Sequence, residues 1–298
     1  MANPKYPLYI PSKGRYEIRQ TSDYLTYMKV PHHIIVEEQE FDLYHEKIKD
    51  NKYVTLLQLD KTYQDEYETL DDLGNTKSKG PGAARNFAWQ HSIDNGFAWH
   101  WVMDDNILRF LRTNRNRQIK VSDGSIFRAM EDFCERYENV YMAGPNYFMF
   151  VPRKAKIKPF VANTRIYSCN FIRNDIPYRW RGRYNEDTIL SLDILNDGFC
   201  TVQFNAFVQD KTTTQVLGGG NTEEFYAKEG TYPKSKMLVD VYPQYSRIMH
   251  RFGRVHHYVD YTPFKKNKLI RRQDIDWDKM KKINNYGMKI KTQKDGQK

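Results

Sequence analysis

The sequence has few cysteines and no long apolar run. Its three cysteines, Cys134, Cys169 and Cys200, are odd in number and form no Cys-x-x-Cys pair. That excludes a disulfide-built secreted scaffold and a cysteine-based zinc site. No segment approaches the roughly 20 apolar residues of a membrane helix. The first residues, "MANPKY", lack the apolar region of a signal peptide. The expectation is a soluble, cytoplasmic protein with no membrane partner. Disorder is excluded for most of the length by 14% aromatic residues, with 22 Tyr and 16 Phe. At 298 residues, a chain buries about 75% of its unfolded surface and needs no staple.

Charge is unevenly spread. The formal charge is +10, yet twelve of the 47 Lys/Arg and only four of the 37 Asp/Glu fall in residues 262–298, leaving 35 and 33 before them. The sequence therefore reads as a near-neutral body, 1–261, followed by a basic tail, 262–298.

Apolar periodicity gives short strands at residues 6–10, 33–36, 54–59 and 99–103, and helices at 22–30, 38–48 and 83–94. Residues 60–79 read as a polar loop. Further on, 123–137 and 188–195 have helical spacing, while 140–143, 147–151, 165–172 and 200–208 read as strands. Such alternation predicts an α/β fold with a mixed, mainly parallel sheet flanked by helices. Ligands of such sheets lie beyond the carboxyl ends of the strands. The stretch "HWVMDDNILRF" places Asp104, Asp105 and Asn106 at such an end.

Asp and Asn often make turns, but two adjacent acids at the end of a buried strand repel each other and resist desolvation. A divalent cation bound by one or two side chains, with sites left open for phosphates, removes the conflict. In "KGPGAARNFAWQH" a Gly-Pro turn opens a helix. Its N-terminus, with Lys79 and Arg85, is suited to an anion just before the acidic strand. In "RGRYNEDTILSLDIL", Asn185 can cap a helix that Glu186 and Asp187 suit electrostatically. Either acid can instead face a cleft as a general base. Gly219 sits in the "VLGGGNTEEF" triple glycine, read as a plain flexible loop or a lid over a ligand. His250, close to His256 and His257, is a candidate extra metal ligand. Arg109, Arg112, Arg115, Arg117 and Lys120 follow the acidic triplet with no acid among them. They read as phosphate contacts for DNA or as a solvated loop.

Taken in order, "YIPSKGR", the Ala-Ala-Arg-Asn helix, the Asp-Asp-Asn strand end and the Glu-Asp helix start resemble a GT-A-fold glycosyltransferase across about residues 5–260. More narrowly, "GPGAARNFAW", "WVMDDNI" and "GRYNEDTILSLDIL" are similar to the TET/JBP-associated glycosyltransferases, many of them phage-encoded, which are thought to decorate hydroxymethylated pyrimidines in DNA. The resemblance implies a nucleotide-sugar half at about 1–110 and an acceptor half at 111–261, with host cytoplasm as the setting. It also implies a nucleotide-diphosphate sugar, UDP-sugar foremost, as co-substrate and Mn²⁺ or Mg²⁺ as cofactor. Pro11, Ser12 and Arg15 would line the nucleotide pocket, and Glu37 would meet base or ribose. Lys79, Arg85, Asn86 and Gly219 would lie along the donor. Asp104 would contact ribose or sugar, with Asp105 and Asn106 on the metal. Asp187 or Glu186 would deprotonate the acceptor hydroxyl. Asn106, where an Asp-x-Asp motif ends in a carboxylate, is a weaker ligand. Competing readings are a polysaccharide or protein acceptor, and a non-catalytic DNA-binding relative.

Overall fold

The computed structural model describes residues 3–72, 79–114, 117–153, 157–212, 232–251 and 253–280. The front of the chain alternates strand and helix as its periodicity predicts. The strands are β1 (Leu8–Pro11), β2 (His32–Val36), β3 (Val54–Gln58) and β4 (Trp99–Met103), and the helices α1 (Gln20–Tyr27), α2 (Phe41–Ile48), the short α3 (Lys61–Asp65) and α4 (Gly82–Asp94). β3-β2-β1-β4 run parallel. The sheet continues through β9 (Cys169–Arg173), β7 (Val140–Tyr147), β10 (Cys200–Lys211), β5 (Ile107–Asn114) and β6 (Arg117–Lys120), with β8 (Phe160–Ala162) beside β10. β9 opposes both its neighbours, whereas β7 and β10 are parallel to each other. The carboxyl ends of β1, β2, β4, β7 and β10 therefore share one edge with the amino ends of β5 and β9.

The alternation of side chains along a strand decides the layering. Leu8 and Ile10 of β1, with Trp99, Trp101 and Met103 of β4, pack with Leu25 of α1 and with Phe127 and Met130 of α5 (Ser125–Cys134). The intervening Tyr9 and Val102 meet Ala88 and Trp89 of α4 and Leu190 and Ile194 of α6 (Glu186–Asn196) on the opposite face. Helices thus cover both faces, and the core lies in two sheets of side chains. All three cysteines are buried and free. Among the described residues no helix is long and apolar enough to cross a membrane.

Past β10 come α7 (Tyr232–Val241) and a two-stranded ribbon, β11 (Ser246–Arg251) and β12 (Arg254–Val259). The segment beginning at residue 262 does not start as a loose tail. Phe264 is buried against Leu192 and Leu195, and the Asn267 amide donates to the carbonyls of Leu195 and Phe199 at 2.8 and 2.9 Å. Residues 281–298, the rest of the expected basic tail, lie outside the described residues.

Burial also sets an acid limit. His32 and His100 are buried, and desolvation pulls each down to about 4. A histidine whose folded value lies below its unfolded value of about 6.5 stays neutral in the fold, so its contribution is intact above pH 6.5 and is lost as pH falls toward 4. At pH 5 the two together are expected to remove about 4 kcal/mol. Urea titrations at pH 7.5 and 5 should show it, and replacing either histidine with glutamine should flatten that dependence.

Candidate active site

The shared strand edge gathers three of the predicted acids around one cation. Arg85, one turn into α4, is only 3% exposed. Its Nη2 donates to Asp104 Oδ1 at 2.8 Å, and its Nη1 to Asp187 Oδ1 at 2.7 Å, with Glu186 Oε1 at 3.1 Å. The guanidinium lies over the Trp180 ring, 4.6 Å from its centroid. Burial opposes its charge, but Asp187, Glu186 and Asp104 outweigh burial and keep it protonated above its ordinary range. Lys211, at the end of β10, pairs with the other oxygen of Asp104 and donates to Ser168 Oγ at 3.0 Å. Burial works against ionised Asp104, yet Lys211 and Arg85 prevail and hold its carboxyl well below the usual range.

Glu186 behaves oppositely. Burial pushes its carboxyl up to about 7; Arg85 pulls against this and neighbouring Asp187 adds to it. Asp187 Oδ1 also accepts from Asn170 Nδ2 at 3.2 Å. These two acids open α6, but Asn185 does not cap it with its side chain, contrary to the expectation. Its backbone is left-handed at φ 57°, and its amide instead donates to the Lys234 carbonyl at 2.6 Å. The acids instead pair with Arg85, with no side-chain cap from Asn185 to account for them.

On the β1 side, Ser12 Oγ donates to Asp105 Oδ2 at 2.8 Å and lies 2.8 Å from the Tyr44 hydroxyl, while Arg15 pairs with the other Asp105 oxygen. Pro11 ends β1 and Glu37 follows β2, 3.3 Å from Lys13 Nζ. Burial raises the Asp105 carboxyl despite the counter-pull of Arg15. Asn106 is buried, and its Oδ1 has no hydrogen-bond partner. That orphaned oxygen beside a carboxylate fits a hard cation such as Mg²⁺ or Mn²⁺. Among the described residues no group of three or more His, Cys, Asp or Glu could hold a metal. A cation here would have Asp105 and Asn106 as protein donors and need ligand oxygens for the rest. His250 is not gathered with Asp104 and Asp105; it lies exposed on β11.

Several expected donor contacts turn inward. Lys79 Nζ donates to the carbonyls of Gln64 and Asp65. The Asn86 amide is used at both ends on the Trp180 backbone, each bond 2.9 Å, and so pins the ring under Arg85. A Cβ at Gly82 would fall 1.9 Å from the Tyr67 hydroxyl, so glycine there makes room for the tyrosine over the helix start. Gly219 and Arg115 lie outside the described residues. The other basic residues sit on a β5–β6 hairpin rather than a loop. Arg109 pairs with Asp210 at 2.8 Å, Arg112 pairs in register with Ile119, and Arg117 and Lys120 are exposed on the edge strand. Periodicity did not reveal Lys211, Ser168 or Asn170, because the sheet order alone brings the first two to Asp104 and Asn170 to Asp187.

A mixed sheet with a parallel front half, acids at its strand ends and a Glu-Asp helix beside them defines a GT-A-like glycosyltransferase. The family model for TET-Associated Glycosyltransferase matches residues 6–220. The chain belongs to that family and is a glycosyltransferase. No curated protein sequence matches it. Among solved structures it is similar to mannose-6-phosphate isomerase from Helicobacter pylori, at 10% identity over 90% of this chain and 94% of that one, with a TM-score of 0.28. A likeness that low carries no argument.

Proposed function

We propose that the protein transfers a sugar from a nucleotide diphosphate, with UDP-sugar as the first candidate, to the hydroxyl of a hydroxymethylated pyrimidine in DNA. The observation that carries the reading is the convergence of Asp104, Glu186 and Asp187 on buried Arg85, in a chain of this family. Pro11, Ser12, Arg15 and Glu37 would line the nucleotide, and Asp104, fixed between Arg85 and Lys211, would face ribose or sugar. Lys79 and Asn86 would act as positioning residues, because their polar atoms already serve the backbone.

Mn²⁺ or Mg²⁺, held by Asp105 and Asn106, would supply positive charge to the departing diphosphate. Glu186, poised near neutrality, would take the proton of the acceptor hydroxyl as that oxygen attacks the anomeric carbon and the sugar–phosphate bond breaks. Asp187 would hold Arg85 in register. The exposed cations of the β5–β6 hairpin, Arg109, Arg117 and Lys120, would meet the DNA backbone.

The test is incubation with Mn²⁺, a panel of nucleotide sugars and DNA bearing hydroxymethylcytosine or hydroxymethyluracil, with nucleosides identified by mass. A hexose or pentose added to the modified base is expected, with the signal lost on chelation and restored by Mn²⁺. Transfer to polysaccharide or protein but not to DNA would replace the acceptor. Transfer unaffected by chelation would remove the metal.

A further inference from the structure

The carboxyl end of β7 leads directly out of the site. Tyr147, its last residue, places its hydroxyl 2.7 Å from Ser168 Oγ, the same oxygen that accepts from Lys211. The next three residues, Phe148–Phe150, form one 3-10 turn. Met149 and Phe150 there are 69% and 58% exposed, although they follow an almost wholly buried strand. Their base is firm. Val151 is buried against Leu111 and Val208, its carbonyl accepts from Gln118 Nε2 at 2.9 Å, and the Phe150 ring stacks on Tyr147 at 5.8 Å between centroids.

Cations flank this apolar tip. The Arg109 guanidinium lies 6.0 Å from the Phe148 ring centroid, and Arg153 Nε donates to Gln118 Oε1 on the hairpin at 3.3 Å. Arg109, Arg117 and Arg153 are all exposed. An apolar tip on a firm base, with exposed arginines on its flank, suits a partner that offers phosphates outside and a stack of aromatic rings within. The reacting groups are also recessed. The side chain of Arg85 is 3% exposed, that of Glu186 13% and that of Asp187 17%, so a base still stacked in a duplex does not reach them.

We infer that Met149 and Phe150 form a wedge that enters the base stack of duplex DNA and fills the gap left as the target pyrimidine swings into the site. This rests on the DNA-acceptor reading and adds how the base is extracted. Unstacking costs least for a base that is already unpaired, so the wedge is needed on a duplex and dispensable on a single strand.

The test compares wild type with the Met149→Ala/Phe150→Ala double variant on three acceptors. These are a modified duplex, the same strand alone, and a duplex with the modified base opposite an abasic position. Both side chains are exposed, so the thermal midpoint is expected to stay put. Transfer to the paired duplex should fall about 10–100-fold in the variant, with the other two acceptors within about threefold of wild type. A 2-aminopurine beside the target should brighten on wild-type binding and stay dim with the variant, and Met149→Ala/Phe150→Trp should recover both signals. Equal losses on all three acceptors, or no loss on the duplex, would overturn the wedge while leaving the DNA-acceptor reading intact. Wild-type protein that transfers to none of the three would instead overturn that reading, and the wedge with it.

Discussion

Arg85→Met is expected to destabilise the protein by about 3–5 kcal/mol and to reduce sugar transfer below detection. Arg85 is the shared partner of Asp104, Glu186 and Asp187, all at the same strand edge. Its removal leaves three acids facing one another, with Lys211 as the cation still paired with Asp104 among the described residues. Buried carboxylates left uncompensated must either take up protons or separate, and both routes disturb the site. Arg85→Lys separates charge from geometry. An ammonium restores the positive charge but cannot span three carboxylates as the planar guanidinium does. Most of the stability should return, while kcat stays at least about tenfold down. Urea unfolding followed by Trp fluorescence measures the first effect, and radiolabelled sugar transfer the second. Full activity in both variants would remove Arg85 from the centre of the site.

The acidic strand end was legible because β4 is short, apolar on both faces and ended by residues that cannot remain buried unpaired. Trp99–Met103 appears with the predicted bounds. The second half was harder to read, for identifiable reasons. Residues 140–143 and 147–151 read as two strands because Gly144 and Pro145 punctuate the run. In the structure β7 runs through Gly144 and Pro145 and ends at Tyr147, and residues 148–150 of the second expected strand form a 3-10 turn instead. Proline is tolerated there because Pro145 lies beyond the last β9 partner, Ala143, and at the irregularity where its β10 register jumps from Phe204 to Val208. The expected strand over 165–172 begins only at Cys169, since Asn163 and Ser168 adopt left-handed backbones at φ 61° and 65°. That bend directs Ser168 to Tyr147 and Lys211, a contact no local pattern encodes. The β5–β6 hairpin reads as a basic loop because Phe110 and Leu111 are both buried in succession, which breaks the alternation of a strand.

The two acids opening α6 are expected to separate by pH profile. Glu186 is pushed up to about 7, first by burial and then by Asp187, against the pull of Arg85. A base must be deprotonated to act, so kcat/KM should reach half its plateau near pH 7 and fall tenfold per unit below it. Glu186→Gln should lower kcat by roughly 10²–10⁴-fold and erase that limb. Asp187→Asn removes a negative neighbour, and a carboxyl relieved of a like charge ionises more easily. The limb should then survive in Asp187→Asn at lower pH, with kcat reduced because Arg85 loses one of its three carboxylate partners and Asn170 loses its anionic partner. Were Asp187 itself the base, Asp187→Asn would abolish transfer and Glu186→Gln would keep most of it. Asp104 and Tyr67 also act on this carboxyl environment. Neither is expected to produce a limb near neutrality, because Asp104 is held well below the carboxylate range and Tyr67 well above the phenol range. The position of one inflection in two variants therefore assigns the proton acceptor, which the helix-start sequence by itself left shared between neighbours.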